Sequence, residues 1–376
     1  MKVALIRQQY NPYGGAEKFV NIALQSLRRV GAEPVVICNQ WADQHASNAN
    51  DVVQLPRVRA FTRQGNSAAF AAQVQTYLAR HTMDLVQTHE RIPGFDVFRA
   101  GDGLHKTWLS RRTANSSWWR KKLTAIDPYH RSLLALEKEL LEHPQLKSII
   151  CNSAMVQNEI LAHYAVDPRK ITIIRNGVDT KYYRPPTEQE RLNVKNLLSV
   201  GQHQKVFTYV GSGFERKGVM PLLRAMALLP EAFLFVVGAD KHLKKYQQVA
   251  KSLKVDHRVR FTGPQKNVRD YYWAADAMVF PTLYDPCPNA VLEAMACGLG
   301  VTTTPYCGAL ELLTPGQSAT TCSPWSHEEV ANAMQFFLQT DQAQLAGRLA
   351  RQAVEPYTID NMGQELMSLY QRILQR

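Results

Sequence analysis

The 376-residue sequence contains no apolar run of about 18 residues, the length that a helix needs to cross a bilayer. Its amino-terminal apolar stretch, residues 3–6, is short and is interrupted by Arg7. The stretch therefore predicts a buried strand and argues against a signal peptide. We expect a chain that stays in the cytoplasm.

Acidic residues are scarce relative to basic ones, since 32 Asp and Glu stand against 44 Lys and Arg, for a formal net charge of +12. Such an excess favours phosphate-rich partners, namely nucleic acid, an anionic membrane or a phosphorylated glycolipid. The six cysteines include no C-x-x-C pair, and several lie in apolar runs such as residues 149–151. That placement predicts reduced core residues and argues against structural disulfides and a zinc site.

Short β-rich runs, in contrast, are abundant and alternate with helical stretches. The runs are continuously apolar, as in strands that are buried on both faces of a parallel sheet. They are residues 3–6, 35–38, 85–86, 149–151 and 171–174, and then residues 206–210, 233–237, 259–261, 278–280 and 301–303. The alternation predicts βαβ units and a doubly wound α/β sheet in each half.

The two series of runs meet at a polar, proline-containing stretch that follows Asn176-Gly177-Val178-Asp179. The chain is also too long for one ordinary core and suits two. We predict domains over residues 1–180 and 181–355. Residues 356–376 include a segment with helical apolar spacing, which is expected to pack back against the first domain.

The strongest local signal is Gly211-Ser212-Gly213-Phe214-Glu215-Arg216-Lys217-Gly218, directly after the run at residues 206–210. A strand that turns through glycines into a helix offers backbone N–H groups and a positive helix end to a phosphate. Arg216 and Lys217 at that turn can clamp a diphosphate through charge-assisted hydrogen bonds. A plain strand-to-helix turn with exposed basic residues is the alternative, and the Arg-Lys pair favours phosphate binding.

Two acidic residues flank a predicted helix start further along the chain. Asn289 is a candidate cap for a helix that continues through Ala290, and Glu293 lies about one turn into it. Asp285 lies eight positions before Glu293, in the preceding loop. Such groups can accept hydrogen bonds from ribose and sugar hydroxyls. Equally, Glu293 can be a solvated helix residue and Asp285 a turn residue.

Taken in order along the chain, these motifs resemble the family 4 retaining glycosyltransferases, a large group with the GT-B fold. That family has two acidic residues separated by seven others, followed by Ala and a glycine-containing turn. Asp285 and Glu293 occupy those places, although the first is normally Glu. Gly14-Gly15 matches the family's N-terminal glycine loop, and residues 176–179 match its interdomain signature. The resemblance implies two Rossmann-like domains that face each other across a cleft.

The resemblance also implies a role for each motif. Arg216 and Lys217 would bind the donor diphosphate, Glu293 the ribose and Asp285 the donor sugar. The other positions that would hold the nucleotide sugar are Gly14, Gly15, Gly211, Asn289 and Ala290. The sequence has no Asp-x-Asp triplet, with which glycosyltransferases of the other major fold hold a metal on the diphosphate. We therefore expect no metal and no cofactor, with fixed cations stabilising the leaving group.

The first predicted domain offers two polar clusters at predicted strand ends, Thr88-His89-Glu90-Arg91 and residues 100–106. By the resemblance, Asp102 would lie near the reacting sugar, with His105 and His89 as alternatives. Each histidine, taken alone, is more simply explained as a polar loop residue.

Within the family, the sequence is most similar to the lipopolysaccharide core glucosyltransferase group. Residues 10–15, residues 93–97 and the loop at residues 211–218 carry this narrower resemblance. It implies retaining transfer of a hexose, glucose or N-acetylhexosamine, from a UDP-sugar to a glycolipid acceptor, the lipopolysaccharide core, at the inner membrane surface.

Residues 106–126 combine tryptophans with basic residues and contain no acidic residue. Trp119, Leu123 and Ile126 fall at helical spacing, and this composition is typical of an interfacial membrane segment. We expect the segment to contact an anionic membrane, which implies a peripheral location on the inner membrane. The alternatives are a solvated loop whose tryptophans pack into the core, and nucleic-acid binding, for which no recognised module is present.

Two other classes of function use some of the same features. A GT-B-type epimerase or hydrolase would consume the nucleotide sugar without an acceptor. A non-catalytic basic protein would bind anionic membranes or nucleic acid with strong salt dependence and no affinity for UDP.

Overall fold

The computed structural model of the protein describes residues 1–10, 15–41, 52–57, 63–115 and 117–375. The strands are β1 (Lys2–Ile6), β2 (Gln9–Tyr10), β3 (Glu33–Cys38), β4 (Gln40–Trp41), β5 (Val52–Gln54), β6 (Leu85–Thr88), β7 (Val97–Arg99), β8 (Ser148–Cys151), β9 (Ile171–Ile173), β10 (Lys205–Val210), β11 (Ala232–Val237), β12 (Val259–Gly263), β13 (Ala277–Phe280), β14 (Gly300–Thr303) and β15 (Ala319–Thr321).

The α-helices are α1 (Gly15–Arg29), α2 (Arg63–Leu78), α3 (His105–Thr113), α4 (Trp118–Ile126), α5 (Pro128–Leu141), α6 (Ala154–His163), α7 (Glu188–Leu197), α8 (Val219–Ala227), α9 (Leu243–Ser252), α10 (Arg269–Ala274), α11 (Asn289–Ala296), α12 (His327–Gln335), α13 (Thr340–Val354) and α14 (Ile359–Leu374). Short 3₁₀ helices cover Pro168–Lys170, Asp256–Arg258, Gly308–Leu312 and Phe336–Leu338. No helix in the described part of the chain is both long and apolar enough to cross a bilayer.

The chain divides into two compact units. One consists of Met1–Gly177 together with Ile359–Arg376, and the other of Val178–Thr358. From the sequence we predicted that the domains end at residues 180 and 355, whereas the units of the structure change at residues 177 and 358.

The first unit contains a seven-stranded parallel sheet in the order β5-β3-β1-β6-β7-β8-β9. Successive residues of β1 face opposite sides of this sheet, and each side has its own core. Val3 and Leu5 pack in a cluster with residues of α1 and α14, whereas Ala4 and Ile6 pack in a cluster with residues of α2. Because both faces are covered, β1 is continuously apolar, which explains why it could be predicted.

Helix α14 completes the first unit by packing on α1. A Cβ atom added to Gly363 would lie 2.4 Å from the Cβ of Ser26, so the two helices approach closely at this point. Further along α14, the Tyr370 hydroxyl donates to Oε1 of the buried Gln87 at 2.7 Å.

The second unit contains a six-stranded parallel sheet in the order β12-β11-β10-β13-β14-β15. Strands β10 and β13 are neighbours and run in the same direction, with Phe207 opposite Ala277. Their carboxyl ends therefore meet at one edge of the sheet, where ligands of open α/β sheets bind. The loops that follow these two strands carry Arg216, Lys217 and Asp285.

Strands β2, β4, β5, β7 and β15 were not predicted. Strands β2 and β4 have only two residues each. The other three have three residues each and end in a polar side chain, so none forms the continuous apolar run that indicated the predicted strands.

Candidate functional site

The loop at residues 211–218 joins β10 to α8 and needs glycine at particular positions. Gly213 and Gly218 have φ angles of 79° and 78°, in the left-handed region that favours glycine. A Cβ atom on Gly218 would lie 1.9 Å from the carbonyl oxygen of Pro281. The loop is thus packed tightly against the chain that follows β13. Gly211 begins the loop, and a Cβ there would lie 2.9 Å from Cδ of Lys217.

A second loop, residues 238–242 after β11, holds the first loop in place. The Phe214 backbone N–H donates to Oδ2 of Asp240 at 2.7 Å. The Ala239 N–H donates to Oγ of Ser212 at 3.2 Å, and the Gly213 N–H donates to the Ala239 carbonyl at 3.2 Å. These bonds fix the path of the loop between Ser212 and Phe214.

Arg216 and Lys217 converge on a single carboxylate oxygen. Arg216 Nη1 lies 3.3 Å from Oδ2 of Asp285 and donates to the Tyr284 carbonyl at 2.8 Å. Lys217 Nζ lies 3.6 Å from the same Asp285 oxygen. Two cations share one anion, so the cluster keeps an excess of positive charge that a diphosphate would balance.

Burial lowers the pKa of Lys217 below its usual value; Asp285 opposes this effect, and Arg216 adds to it. The ammonium also lies 5.2 Å from the centre of the Phe280 ring. A buried lysine with a lowered pKa gains from a bound anion, since the anion favours its charged form.

Asp285 is held rigidly by its own backbone. Its N–H donates to the Tyr306 carbonyl at 3.0 Å, and its carbonyl accepts from the Gly308 N–H at 2.9 Å. The side chain is buried. Contact between Asp285 and a donor sugar stays a prediction.

Helix α11 carries the second acidic residue, and Glu293 is buried, so the alternative of a solvated helix residue is wrong. Its Oε2 accepts from the hydroxyl of Tyr272 on α10 at 3.2 Å. The predicted cap at Asn289 is also wrong. Pro288 has the extended conformation of the cap, and Asn289 is the first helical residue, followed by Ala290.

The first unit holds the other candidates. Asp102 is exposed, and its Oδ2 lies 3.4 Å from Nη1 of Arg7. The same Arg7 nitrogen lies 3.6 Å from Oε1 of Glu90. Gly14 lies outside the described residues, and Gly15 is the first residue of α1.

His105 and His89 both have side-chain partners, and which of the three candidates faces the reacting sugar stays a prediction. Nε2 of His105 lies 3.1 Å from Nδ1 of His130 on α5. Burial, together with Arg91, lowers the pKa of His105 to about 4. Nε2 of His89 lies 3.0 Å from Nε2 of Gln87, and burial lowers the His89 pKa well below its usual value. Both imidazoles are therefore neutral near pH 7.

Glu137 on α5 organises the start of α3 and was not found from the sequence. Its buried carboxylate accepts from the backbone N–H groups of His105 at 2.5 Å and Lys106 at 3.1 Å. It also accepts from the Tyr164 hydroxyl at 2.7 Å and from Nε of Arg91 at 3.3 Å. A carboxylate suits this position because a helix N-terminus carries partial positive charge.

Helix α4 exposes most of its large apolar side chains. The exposed fractions are 71% for Trp118, 47% for Trp119, 57% for Leu123 and 64% for Ile126. The alternative that the tryptophans pack into the core is therefore wrong for Trp118 and Trp119. Contact of this segment with a membrane stays a prediction.

Among the residues that the structure describes, no group of three or more His, Cys, Asp or Glu is arranged to hold a metal ion.

Two family models match the chain, one in each half. The Glycosyltransferase Family 4 model matches residues 13–182, and the model described as Glycosyl transferases group 1 matches residues 193–355.

Related proteins match across most of their length. The lipopolysaccharide glucosyltransferase WaaG of Escherichia coli (strain K12) is 28% identical over 356 residues, which cover 92% of each chain. A D-inositol 3-phosphate glycosyltransferase of Corynebacterium diphtheriae is 24% identical over 331 residues, which cover 81% of this chain and 74% of that protein.

Solved structures match over the whole chain. The crystal structure of WaaG, a glycosyltransferase involved in lipopolysaccharide biosynthesis, superposes with a TM-score of 0.85 at 24% identity and covers 98% of this chain and 99% of that one. Anabaena HepE in complex with UDP and glucose has a TM-score of 0.74 at 19% identity and covers 99% and 100%. These matches confirm the GT-B fold that the sequence predicted.

Proposed function

Because this chain belongs to glycosyltransferase family 4 and is a glycosyltransferase of the GT-B type, we propose that it transfers a hexose from a UDP-sugar to a lipopolysaccharide core acceptor with retention of configuration. The acceptor assignment is supported by similarity to WaaG, a lipopolysaccharide glucosyltransferase. The donor assignment is supported by the UDP and glucose complex of HepE, which has the same fold.

The observation that carries the proposal is the convergence of Arg216 and Lys217 on Asp285. When the bond between sugar and diphosphate breaks, negative charge develops on the leaving diphosphate. Cations that are already fixed in position stabilise that charge without reorganising, and such stabilisation is usually the largest single contribution to catalysis. In our proposal the two side chains do this work without a metal ion.

Helix α11 would hold the nucleoside end of the donor. Glu293 is fixed by the Tyr272 hydroxyl, so its carboxylate is preorganised to accept hydrogen bonds from ribose hydroxyls. Asn289 and Ala290 form the first turn of α11, where the positive helix end favours an anionic group.

Asp102 is our candidate for the group that orients the sugar or the acceptor in the first unit. It is the exposed member of the three candidates, although its carboxylate also pairs with Arg7, and the imidazoles of His105 and His89 contact His130 and Gln87. Its carboxylate can accept a hydrogen bond from a sugar hydroxyl.

The exposed apolar side chains of α4 would hold the enzyme at the inner membrane, where a glycolipid acceptor resides. The helix combines them with Lys122, whose Nζ lies 5.5 Å from the centre of the Trp118 ring. Tryptophans beside lysines suit the boundary between headgroups and acyl chains.

Transfer can be measured directly by incubating the enzyme with UDP-glucose or UDP-N-acetylglucosamine and truncated lipopolysaccharide core, in the presence of EDTA. We expect one donor to label the acceptor, with an anomeric configuration by NMR that matches the donor. Consumption of the donor at an equal rate without acceptor would instead indicate a hydrolase or an epimerase. Activity that EDTA abolishes and a divalent ion restores would overturn the metal-independent assignment.

A further inference from the structure

Helix α9 in the second unit carries a basic surface that the proposed transfer reaction does not use. Residues 241–255 contain no acidic residue. Their lysines are all exposed and comprise Lys241, Lys244, Lys245, Lys251 and Lys254. In the part of the chain that the structure describes, none of the five forms an ion pair. We call these five side chains the α9 basic surface.

The geometry of α9 places two of these lysines, Lys244 and Lys251, on one side of the helix. Tyr246 and Ala250 are buried, so that side of the helix packs against the core of the second unit. Lys244 and Lys251 are seven residues apart, or about two turns, and therefore project from the same opposite face. Within α9 itself, no large apolar side chain is exposed.

The lack of fixed partners within the described residues for the lysines of the α9 basic surface indicates what this surface binds. A discrete phosphate site fixes its cations, as the bonds of Arg216 and Lys217 to one Asp285 oxygen illustrate. The five lysines have no such fixed arrangement, and each is a hydrated point charge on a flexible stem. Mobile charges spread along a helix and its two flanking turns suit a surface whose anions are also mobile and spread out, which describes an anionic lipid bilayer.

We propose that the α9 basic surface is a second membrane contact of this protein, which binds anionic phospholipid headgroups electrostatically and without insertion. This inference rests on the proposed function, because it assumes an acceptor held in a membrane. Unlike α4, whose exposed tryptophans and leucine can enter the bilayer, α9 offers only charge. Binding through α9 is therefore expected to disappear at high salt, whereas binding through α4 persists.

The test measures partition of the full-length enzyme onto vesicles of phosphatidylcholine with phosphatidylglycerol, by co-sedimentation at low and high salt. The test variant is Lys244→Glu/Lys245→Glu/Lys251→Glu. A matched control, Lys181→Glu/Arg224→Glu/Arg348→Glu, changes the net charge equally at exposed cations elsewhere in the second unit. A third variant, Trp118→Ser/Trp119→Ser, removes the apolar contact of α4. An unchanged UDP-induced thermal shift shows that each variant is folded.

Because each lysine near an anionic surface strengthens binding severalfold, we expect the α9 variant to bind at least about tenfold more weakly than the charge-matched control at low salt. The difference should vanish at high salt and on vesicles of phosphatidylcholine alone. Equal binding by the α9 variant and the control would overturn the α9 proposal and leave the α4 contact untouched. If only the α4 variant loses binding to vesicles, the α9 proposal is likewise overturned and the α4 contact stands.

Two further outcomes would also overturn the proposal. If the wild-type enzyme binds no vesicle, both membrane contacts are wrong, while transfer from UDP-sugar is judged separately in the solution assay. If the α9 variant loses affinity for a duplex oligonucleotide and keeps its affinity for vesicles, the surface is a nucleic-acid site instead.

Discussion

Asp240 Oδ2 accepts the backbone N–H of Phe214 at 2.7 Å and so joins the loop after β11 to the loop that carries Arg216 and Lys217. The Phe214 ring is fully buried and packs edge-on against Tyr246 on α9, with 5.3 Å between ring centres. Asp240 thus positions the cationic loop through the backbone of Phe214.

Replacing Asp240 with alanine is expected to weaken UDP binding. The buried Phe214 N–H would lose its acceptor, and an unsatisfied buried donor costs about 1–3 kcal/mol of stability. Part of this cost would destabilise the loop conformation that binds UDP, and so weaken binding. Asp240→Asn keeps an acceptor oxygen and should retain most of the affinity. Calorimetric Kd values for UDP measure the effect, with Asp256→Ala as an exposed control. Equal affinity in Asp240→Ala and wild type would contradict a positioning role.

Arg216→Ala should reduce kcat more than it raises KM for the donor. Fixed donors act mainly on charge that develops in the transition state, and losing one typically costs about 10²-fold in rate. Arg216→Lys should recover part of the loss, because it keeps the charge and loses the paired geometry. Arg224→Ala, on the exposed side of α8, is the control. A rise in KM with unchanged kcat would mean that Arg216 binds substrate and transition state equally.

Much of this architecture could be predicted from the sequence because its signals are local. The central strands are continuous apolar runs. The loop at residues 211–218 is indicated by its glycines and its Arg-Lys pair. Three-residue strands such as β7 give no comparable signal, since one polar side chain in three breaks the pattern.

The contacts that organise the site, in contrast, join residues far apart in the sequence. Tyr272 and Glu293 are separated by 21 positions, and Phe214 and Asp240 by 26. Tyr272 lies in an aromatic run that is also typical of core, and nothing in its spacing indicates a carboxylate partner. The predicted cap of α11 was wrong by one residue. The prediction relied on the preference of Asn for cap positions, whereas in the structure Pro288 has the extended conformation of the cap.

The affinity for UDP should fall as pH rises. This fall should begin at a lower pH than it would if Lys217 had the usual pKa of a lysine. Burial lowers the pKa of Lys217 from its usual 10.5, so the free enzyme loses this charge earlier as pH rises. Bound diphosphate favours the charged form, and binding should therefore take up a proton in that range. The comparison is with Lys217→Arg, which stays charged. A wild-type affinity that follows the Lys217→Arg profile at every pH would count against Lys217 as a diphosphate ligand.

His105 should make the folded protein sensitive to acid. In the unfolded chain it takes up a proton near pH 6.5, whereas burial and Arg91 lower its folded pKa to about 4. Between these values the unfolded state binds more protons, so the free energy of unfolding falls as pH decreases from 6.5 towards 4. The loss is at most roughly 3 kcal/mol, because one pKa unit corresponds to about 1.4 kcal/mol.

The variant His105→Asn cannot take up this proton and keeps the backbone N–H that donates to Glu137. Its melting temperature should therefore decline less between pH 6.5 and 4 than that of the wild type. His257→Asn, at an exposed position in the second unit, is the control for removal of an imidazole. Parallel curves for wild type and His105→Asn would mean that the imidazole beside His130 accepts a proton as easily when folded as when unfolded.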